Sequence, residues 1–418
     1  MKRNRTSEKG QAIVFLVVGL VVFLGFVGLA IDGGRAYSDR RYAQNAADTA
    51  ALAAAGTIAL ELENRFVTYN TFNCNGADII AAEGVGVAAA ISRADANGFT
   101  ITGPTSNWNG VEIDCGDRDY GYTEKLITVT VRIEDTTETA FAHLFFPSAL
   151  EIRTEAVTWV RPPQPLAFGN AIVALNPDGC SGQSNGAGFH GNPDVYVDGG
   201  GIWSNGCLRG NGNLDVVVAP PSGIHYVGEL IGGDLFSPVP QSAPYTLPPE
   251  SYDITVPDCS HPSAHNITGN QLENMTTLAP GLWCVDGGKK TILHGILTGH
   301  DVTIVFLTGD LTINAGAEMY LDAPEQNPDP YPAVPGILLY FPPSNPAKVT
   351  LNGHAESFFD GTILGVTADI SMLGTGNTHG TRSQIIAWNV EMGGGAETYI
   401  NFEDNKVYER PSSLELAR

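Results

Sequence analysis

Residues 12–31 of this 418-residue chain (AIVFLVVGLVVFLGFVGLAI) form a run of twenty uncharged, mostly apolar residues. A helix of this length spans about 30 Å, which is the thickness of the hydrocarbon core of a bilayer. Four basic residues precede the run, and positive charge is typical of the cytoplasmic side of a span: Lys2, Arg3, Arg5 and Lys9. We therefore predict a cytoplasmic tail at 1–11, a single-pass transmembrane helix at 12–31 in the cytoplasmic membrane, and an extracytoplasmic or cell-surface location for the rest.

A cleaved signal peptide is the alternative interpretation of this run. Signal peptides have an apolar core of about 7 to 15 residues, followed by a cleavage site with small residues. Here the apolar run is longer and continues directly into Asp32, Gly33, Gly34 and Arg35. The sequence therefore favours a retained membrane anchor.

The residues around the span carry a specific motif, which extends from Gly10 to Gly56. A Gly-Gln pair precedes the span, an Asp-x-Gly-Arg closes it, and a Gln-Asn-Ala-Ala-Asp follows; the matching positions are Gly10, Gln11, Asp32, Gly34, Arg35, Gln44, Asn45 and Asp48. This segment resembles the N-terminal segment of the TadG-like proteins of the tight-adherence (Flp) pilus system. The resemblance implies a role in pilus assembly or adhesion, with pilus or secretion-system proteins as partners.

Residues 32–63 predict a helical stem that continues the span. Ten alanines lie between Ala36 and Ala59, and alanine is the strongest helix former. Their small side chains permit close packing, either against a partner helix in or near the membrane or against the protein's own domain. The sequence does not separate these two alternatives.

The charge of the chain excludes one class of function. The formal net charge is −23 and the isoelectric point is about 4.6, although the N-terminal tail is basic. Nucleic-acid binding requires a basic surface and is therefore excluded. An acidic surface is typical of a well-solvated protein and also attracts divalent cations. We predict no cofactor.

Six cysteines in an exported chain predict disulfides. Proximity along the chain favours three pairs, although other pairings are open: Cys74 with Cys115, Cys180 with Cys207, and Cys259 with Cys284. The alternative for the last pair is a zinc site with His261 and His265, because Cys and His are the usual zinc ligands.

Two further regions follow the stem. Residues 64–160 predict a small α+β domain similar to pilin heads, with strands at 126–133 and 151–160 where β-branched and apolar residues alternate. The proline-rich residues 161–168 predict a linker.

Residues 169–410 contain repeats that predict a right-handed parallel β-helix (β-solenoid). LTINAGAEMYL begins at Leu311, VTLNGHAESFF at Val349 and VEMGGGAETYI at Val390, at separations of about twice 20 residues. In such a coil Val349 and Leu351 point inward and Thr350 points outward. A β-sandwich is the alternative, since short strands bounded by glycine also suit that fold. The whole chain is thus predicted to be multidomain and mainly β.

Two classes of function remain. The first is a non-catalytic surface or pilus-associated protein whose solenoid contacts other chains or surface polysaccharide. Acidic residues recur at one repeat position, where the alternatives are an acidic ladder along one face and a solvated rim: Glu318, Glu356 and Glu397. The second is a polysaccharide-acting lyase or glycosidase, which needs paired carboxylates in a groove; the candidates are Asp194, Asp198 and Asp215. We predict the first class, with no catalytic residue.

Overall fold

The structure is a computed structural model of the chain. It describes residues 11–69, 71–119, 123–142, 149–180, 185–192, 194–325, 330–352, 357–374, 378–395 and 397–417. Two compact units are present. Unit 1 comprises Met1–Pro163 and Pro411–Arg418, and unit 2 comprises Gln164–Arg410. Unit 2 is thus an insertion in unit 1, and the last residues of the chain, which the predicted domain limits leave out, belong to unit 1.

Unit 1 consists of two helices and a four-stranded antiparallel sheet in the order β1-β2-β3-β28. The elements are α1 (Gln11–Asn64), α2 (Ala77–Ala96), β1 (Gly110–Asp119), β2 (Thr123–Thr137), β3 (Leu150–Arg161) and, at the end of the chain, β28 (Ser413–Ala417). Helix α1 runs without a break through the predicted span and stem. The strands predicted at 126–133 and 151–160 lie inside β2 and β3.

Alternation along β2 explains why its sheet packs on α1. Ile127, Val129, Val131 and Ile133 are fully buried, since successive strand residues point to opposite faces and these four share one face. The buried face meets α1, which also contacts α2, β3 and β28. The core of unit 1 therefore lies between α1 and the sheet.

Unit 2 is built from short strands, and its first half runs from β4 to β14. These strands are β4 (Gln164–Pro165), β5 (Asn170–Ala174), β6 (Ala187–Gly191), β7 (Val195–Asp198), β8 (Gly201–Ser204), β9 (Leu208–Gly212), β10 (Val216–Val218), β11 (Ile224–Tyr226), β12 (Leu230–Ile231), β13 (Phe236–Ser237) and β14 (Gln241–Ser242). Short 3₁₀ helices lie at Leu166–Gly169, Gly233–Leu235 and Pro249–Ser251.

The second half of unit 2 runs from β15 to β27. Its elements are β15 (His265–Thr268), α3 (Gly269–Glu273), β16 (Thr277–Leu278), β17 (Gly281–Leu293), β18 (Ile296–Gly299), β19 (Val302–Ile313), β20 (Glu318–Asp322), β21 (Ile337–Tyr340), β22 (Lys348–Leu351), β23 (Phe358–Gly374), β24 (Thr378–Thr381), β25 (Ser383–Gly394), β26 (Thr398–Asn401), a 3₁₀ helix at Asp404–Lys406 and β27 (Glu409–Arg410).

Among the described strands of unit 2, every pairing is parallel except that of β4 with β27. In most of these pairings the partners lie about 20 positions apart along the chain, as Val349 with Ile370 and Ile370 with Val390. Strands β19, β21, β23 and β22 close a parallel ring, because β19 and β23 are long and each pairs with β21 through its first half and β22 through its second. This pattern contradicts the β-sandwich alternative, whose sheets are antiparallel.

The order of pairing differs from the order of the chain. Strand β15 pairs with β17, from which the pairings of the described strands continue through β19 and β23 to β25. Strand β25 then pairs with β5 and β6, from which the pairings continue through β8 and β11 to β14. The first strands of the unit thus lie beside the last ones, so its two ends meet at the β4–β27 pair.

The interior of unit 2 is apolar because alternate residues point inward. Val349 and Leu351 are 1% and 2% exposed while Thr350 is half-buried, as the repeat predicts. At one corner, buried amide side chains join neighbouring strands. Asn176 donates to the Asn389 side chain, and Asn389 donates to Asp369. These bonds satisfy polar groups where the chain turns.

Candidate functional site

The residues of the sequence motif lie on α1, whose alanine face is buried. Seven alanines on this face are at most 1% exposed: Ala43, Ala46, Ala47, Ala50, Ala51, Ala54 and Ala55. They pack in the core of unit 1 with residues of α2, β2 and β3. Of the two packing alternatives that the sequence leaves open, the structure shows the stem alanines on the protein's own domain.

Asp32 lies directly after the predicted span and binds a distant loop. Its Oδ1 accepts a hydrogen bond from the Ala140 N–H at 2.6 Å, and its Oδ2 accepts bonds from the N–H groups of Phe141 at 2.9 Å and Ala142 at 2.6 Å. The side chain is buried, with 3% exposed. Burial by itself would raise the pKa of the Asp32 carboxyl, but the three amide donors outweigh it and hold the pKa below its usual value.

A second motif residue, Gln44, connects α1 to the sheet. Its Nε2 donates to the Asp48 carboxylate at 2.8 Å and to the carbonyl oxygen of Glu155, in β3, at 3.1 Å. Between Asp32 and Gln44, the Thr137 hydroxyl donates to Asp39 at 2.8 Å. Polar residues along one side of α1 therefore attach the helix to unit 1. No sequence motif marks Asp39, because its partner is distant in the chain.

For Gly34, Arg35 and Asn45, the described part of the chain shows no such attachment to the sheet or to the loop at 140–142. Arg35 and Asn45 are exposed on α1, and a Cβ atom at Gly34 would meet no atom within 4 Å. Gln11 begins the helix, whereas Gly10 lies outside the described residues.

Three disulfides join the pairs that the sequence favours: Cys74–Cys115 in unit 1, and Cys180–Cys207 and Cys259–Cys284 in unit 2. The zinc alternative is wrong, because both of its thiols are used in a disulfide. Its two histidines contact aromatic rings instead: His265 stacks on Trp283 with ring centroids 4.2 Å apart, and His261 meets the edge of Tyr331.

The predicted acidic ladder occupies strands that carry tyrosines. The Tyr320 hydroxyl donates to Glu318 at 3.1 Å, and the Tyr399 hydroxyl donates to Glu397 at 2.9 Å. Glu356, the middle member, lies outside the described residues. Each described acid thus accepts a hydrogen bond from the tyrosine two residues further along the chain.

The carboxylates considered for an enzyme follow the same arrangement. Asp194 accepts bonds from the Tyr196 hydroxyl at 3.1 Å and from the Asp215 backbone N–H at 2.8 Å. The Tyr196 and Tyr399 rings stack with their centroids 4.8 Å apart. The Asp194 hydrogen bond and the neighbouring carboxylates raise the pKa of the Tyr196 hydroxyl.

Asp198 is exposed and accepts a bond from the Gly199 N–H. In the part of the chain that the structure describes, no group of three or more His, Cys, Asp and Glu side chains is arranged to hold a metal ion.

Comparison with known proteins places the motif in a family. Residues 10–57 match the family model described as Flp pilus-assembly TadE/G-like. The predicted resemblance of the N-terminal segment is confirmed over these residues. No curated protein and no solved structure matches the chain. In the described residues, α1 is long and apolar enough to cross a membrane.

Proposed function

We propose that this protein is a single-pass component of a Flp-type pilus system, with residues 1–11 in the cytoplasm and the chain beyond the span at 12–31 outside it. It acts without catalysis in pilus assembly or adhesion. Unit 2 is a right-handed β-solenoid that offers an extended surface to other pilus or secretion-system proteins, or to surface polysaccharide.

The observation that carries this proposal is the TadE/G-like domain at 10–57 on one continuous apolar helix. Basic residues before the span favour the stated orientation. The three disulfides support it further, because disulfides persist in the oxidising environment outside the cytoplasm.

The solenoid assignment rests on parallel pairing at a spacing of about 20 residues and on inward-facing residues such as Val349 and Leu351. A stack of this kind presents like residues at regular intervals, which suits contact along a polymer or another chain.

The non-catalytic assignment rests on how the surface carboxylates are used. Asp194, Glu318 and Glu397 each accept a hydrogen bond from the tyrosine two residues further along the chain. This repeated use is structural, whereas an active site needs an irregular cluster of groups with distinct roles.

Excision of unit 2 tests its role in adhesion. Because β4 and β27 pair, the ends of unit 2 are adjacent, and a short linker can join Pro163 to Pro411. In cells that lack the native gene, we expect the excised protein to reach the membrane but to leave adhesion unrestored, whereas the full chain restores it. Full adhesion with the excised protein would contradict the proposed role of unit 2.

The polysaccharide-acting alternative is tested with the full chain on a panel of acidic and neutral polysaccharides. We expect no released sugar. Turnover that is lost in Asp194→Asn or Asp215→Asn would establish the enzyme instead. Protease added to spheroplasts separately tests the orientation. We expect it to digest the chain beyond the span, because only an exported segment is accessible to the protease.

A further inference from the structure

We propose that the part of unit 1 beyond the span sits on the membrane surface, with Phe141 inserted in the outer leaflet and exposed arginine and tyrosine side chains of α1 at the lipid headgroups. This inference rests on the proposed membrane topology. Its partner is the phospholipid bilayer itself.

The depth of Phe141 follows from its contact with Gly28. A Cβ atom at Gly28 would lie 2.8 Å from the Phe141 Cβ, so the Phe141 side chain lies directly against the helix backbone. Gly28 belongs to the predicted span at 12–31 and lies about one helical turn before its outer end. Phe141 is 41% exposed even though it contacts the helix. An exposed aromatic ring at this level faces lipid.

The loop is held at this depth by Asp32. One turn of helix separates Gly28 from Asp32, so both lie on the same side of α1. The Asp32 carboxylate accepts hydrogen bonds from the backbone N–H groups of Ala140, Phe141 and Ala142. Backbone donors close to hydrocarbon need partners, because water does not reach them there. The carboxylate therefore permits this turn of chain to approach the bilayer.

The exposed residues of α1 directly beyond the span include basic and aromatic side chains, in contrast to the acidic chain. Arg35, Arg40 and Arg41 are exposed, and none forms an ion pair with a described carboxylate. Tyr37, between them, is 71% exposed. Tyrosine is enriched at membrane interfaces, and arginine pairs with phosphate.

The spacing of these residues also fits the headgroup layer. Arg35 and Tyr37 lie about 6 to 9 Å beyond the end of the span at the helical rise per residue. Arg40 and Arg41 lie about one turn further, but helical side chains tilt toward the N-terminus, here toward the membrane. The four side chains therefore continue the membrane contact that the span begins.

Depth-dependent quenching tests the proposal with the full chain in phosphatidylcholine vesicles. In Phe141→Trp, we expect the added tryptophan emission to lie at short wavelength and to be lost in vesicles whose acyl chains are brominated near the headgroup. Val239→Trp is the control, since Val239 is a 76% exposed residue of unit 2. Equal quenching of the two added tryptophans would overturn the proposal.

A glycine pair sharpens this test. In Phe141→Trp combined with Gly28→Leu, the new side chain displaces the loop, so quenching should decrease. Gly25→Leu should have no such effect, because a Cβ at Gly25 meets no atom within 4 Å. Alkali extraction separates the two proposals. If alkali extracts the chain from the vesicles, the membrane topology is wrong, and this inference is wrong with it. If the chain resists extraction but the added tryptophan fluorescence of Phe141→Trp is not quenched, this inference alone is wrong.

Discussion

Unit 1 packs one long helix on an antiparallel sheet, whereas unit 2 consists mainly of parallel strands, most of which pair with strands about 20 residues away in the chain. In unit 1 the helix and the sheet pack closely because the buried side chains of α1 are mostly small alanines. In unit 2 the close packing comes from backbone near backbone, at corners where glycine is required. Gly212 has φ of 127°, and a Cβ there would lie 2.1 Å from the Gly191 oxygen. The two units should therefore fail through different kinds of substitution.

The largest effect is expected at the corner glycines of unit 2. Gly212→Ala introduces both backbone strain and a clash, and we expect it to reduce the free energy of unfolding by on the order of 4 kcal/mol. Gly281 is a matched control: its φ is 129°, but a Cβ there meets no atom within 4 Å. Gly281→Ala should cost only about 1 to 2 kcal/mol. Denaturant unfolding measures the free energy of unfolding of both variants. Equal losses would show that the close approach of the Gly191 backbone does not destabilise Gly212→Ala.

The next effect concerns pH and a buried acid of unit 2. Burial, together with nearby Asp404, raises the pKa of Glu409 to about 8 from an ordinary value of 4.5. Between these values the folded chain binds a proton that the unfolded chain has released, so the free energy of unfolding decreases as pH rises from 4.5 to about 8. Glu409→Gln should remove this dependence and stabilise unit 2 at pH 8 by on the order of 3 kcal/mol.

The control for this measurement is Glu250→Gln, which changes an exposed carboxyl of the same unit. We expect it to leave the pH dependence as it is in the native chain. If the free energy of unfolding of Glu409→Gln still decreases between pH 4.5 and about 8, another titrating group causes the pH dependence. Unfolding followed by hydrogen exchange at several pH values locates the change in unit 2.

Overpacking of the stem should affect unit 1 in particular. Ala50 is fully buried, and leucine is nearly as good a helix former as alanine, so Ala50→Leu tests packing alone. We expect a loss of about 2 kcal/mol, located by hydrogen exchange in unit 1. Asn45→Leu puts the same side chain on the exposed face and should be nearly neutral. A tolerated leucine at position 50 would mean that the alanine face is not tightly packed.

The smallest effect is expected for a polar attachment between α1 and the sheet. Gln44→Ala removes the bond to the Glu155 carbonyl and should cost about 1 kcal/mol in unit 1. Asn45→Ala is the neighbouring exposed control, and it should cost less. If both variants unfold alike, the motif glutamine has a role other than attachment of the helix.

The sequence alone predicts the features that depend on neighbours along the chain. The apolar run of 12–31, the alanine-rich continuation of α1 and the alternation in β2 all depend on local periodicity, and the structure contains each of them. The repeat near 20 residues also lies in the sequence, because many strands of unit 2 pair with a similar segment about 20 residues away. The proximity of cysteines predicts the three disulfides for a similar reason.

Only the tertiary structure decides which distant segments meet. Asp32 binds the backbone of residues 140–142, Asn176 binds Asn389, and β28 returns to pair with β3. No local pattern specifies these contacts, because they depend on the path of the backbone through a whole unit. For the same reason, no motif specifies that the alanine face of α1 packs on the protein's own sheet. Packing also decides that the first strands of unit 2 lie beside the last ones.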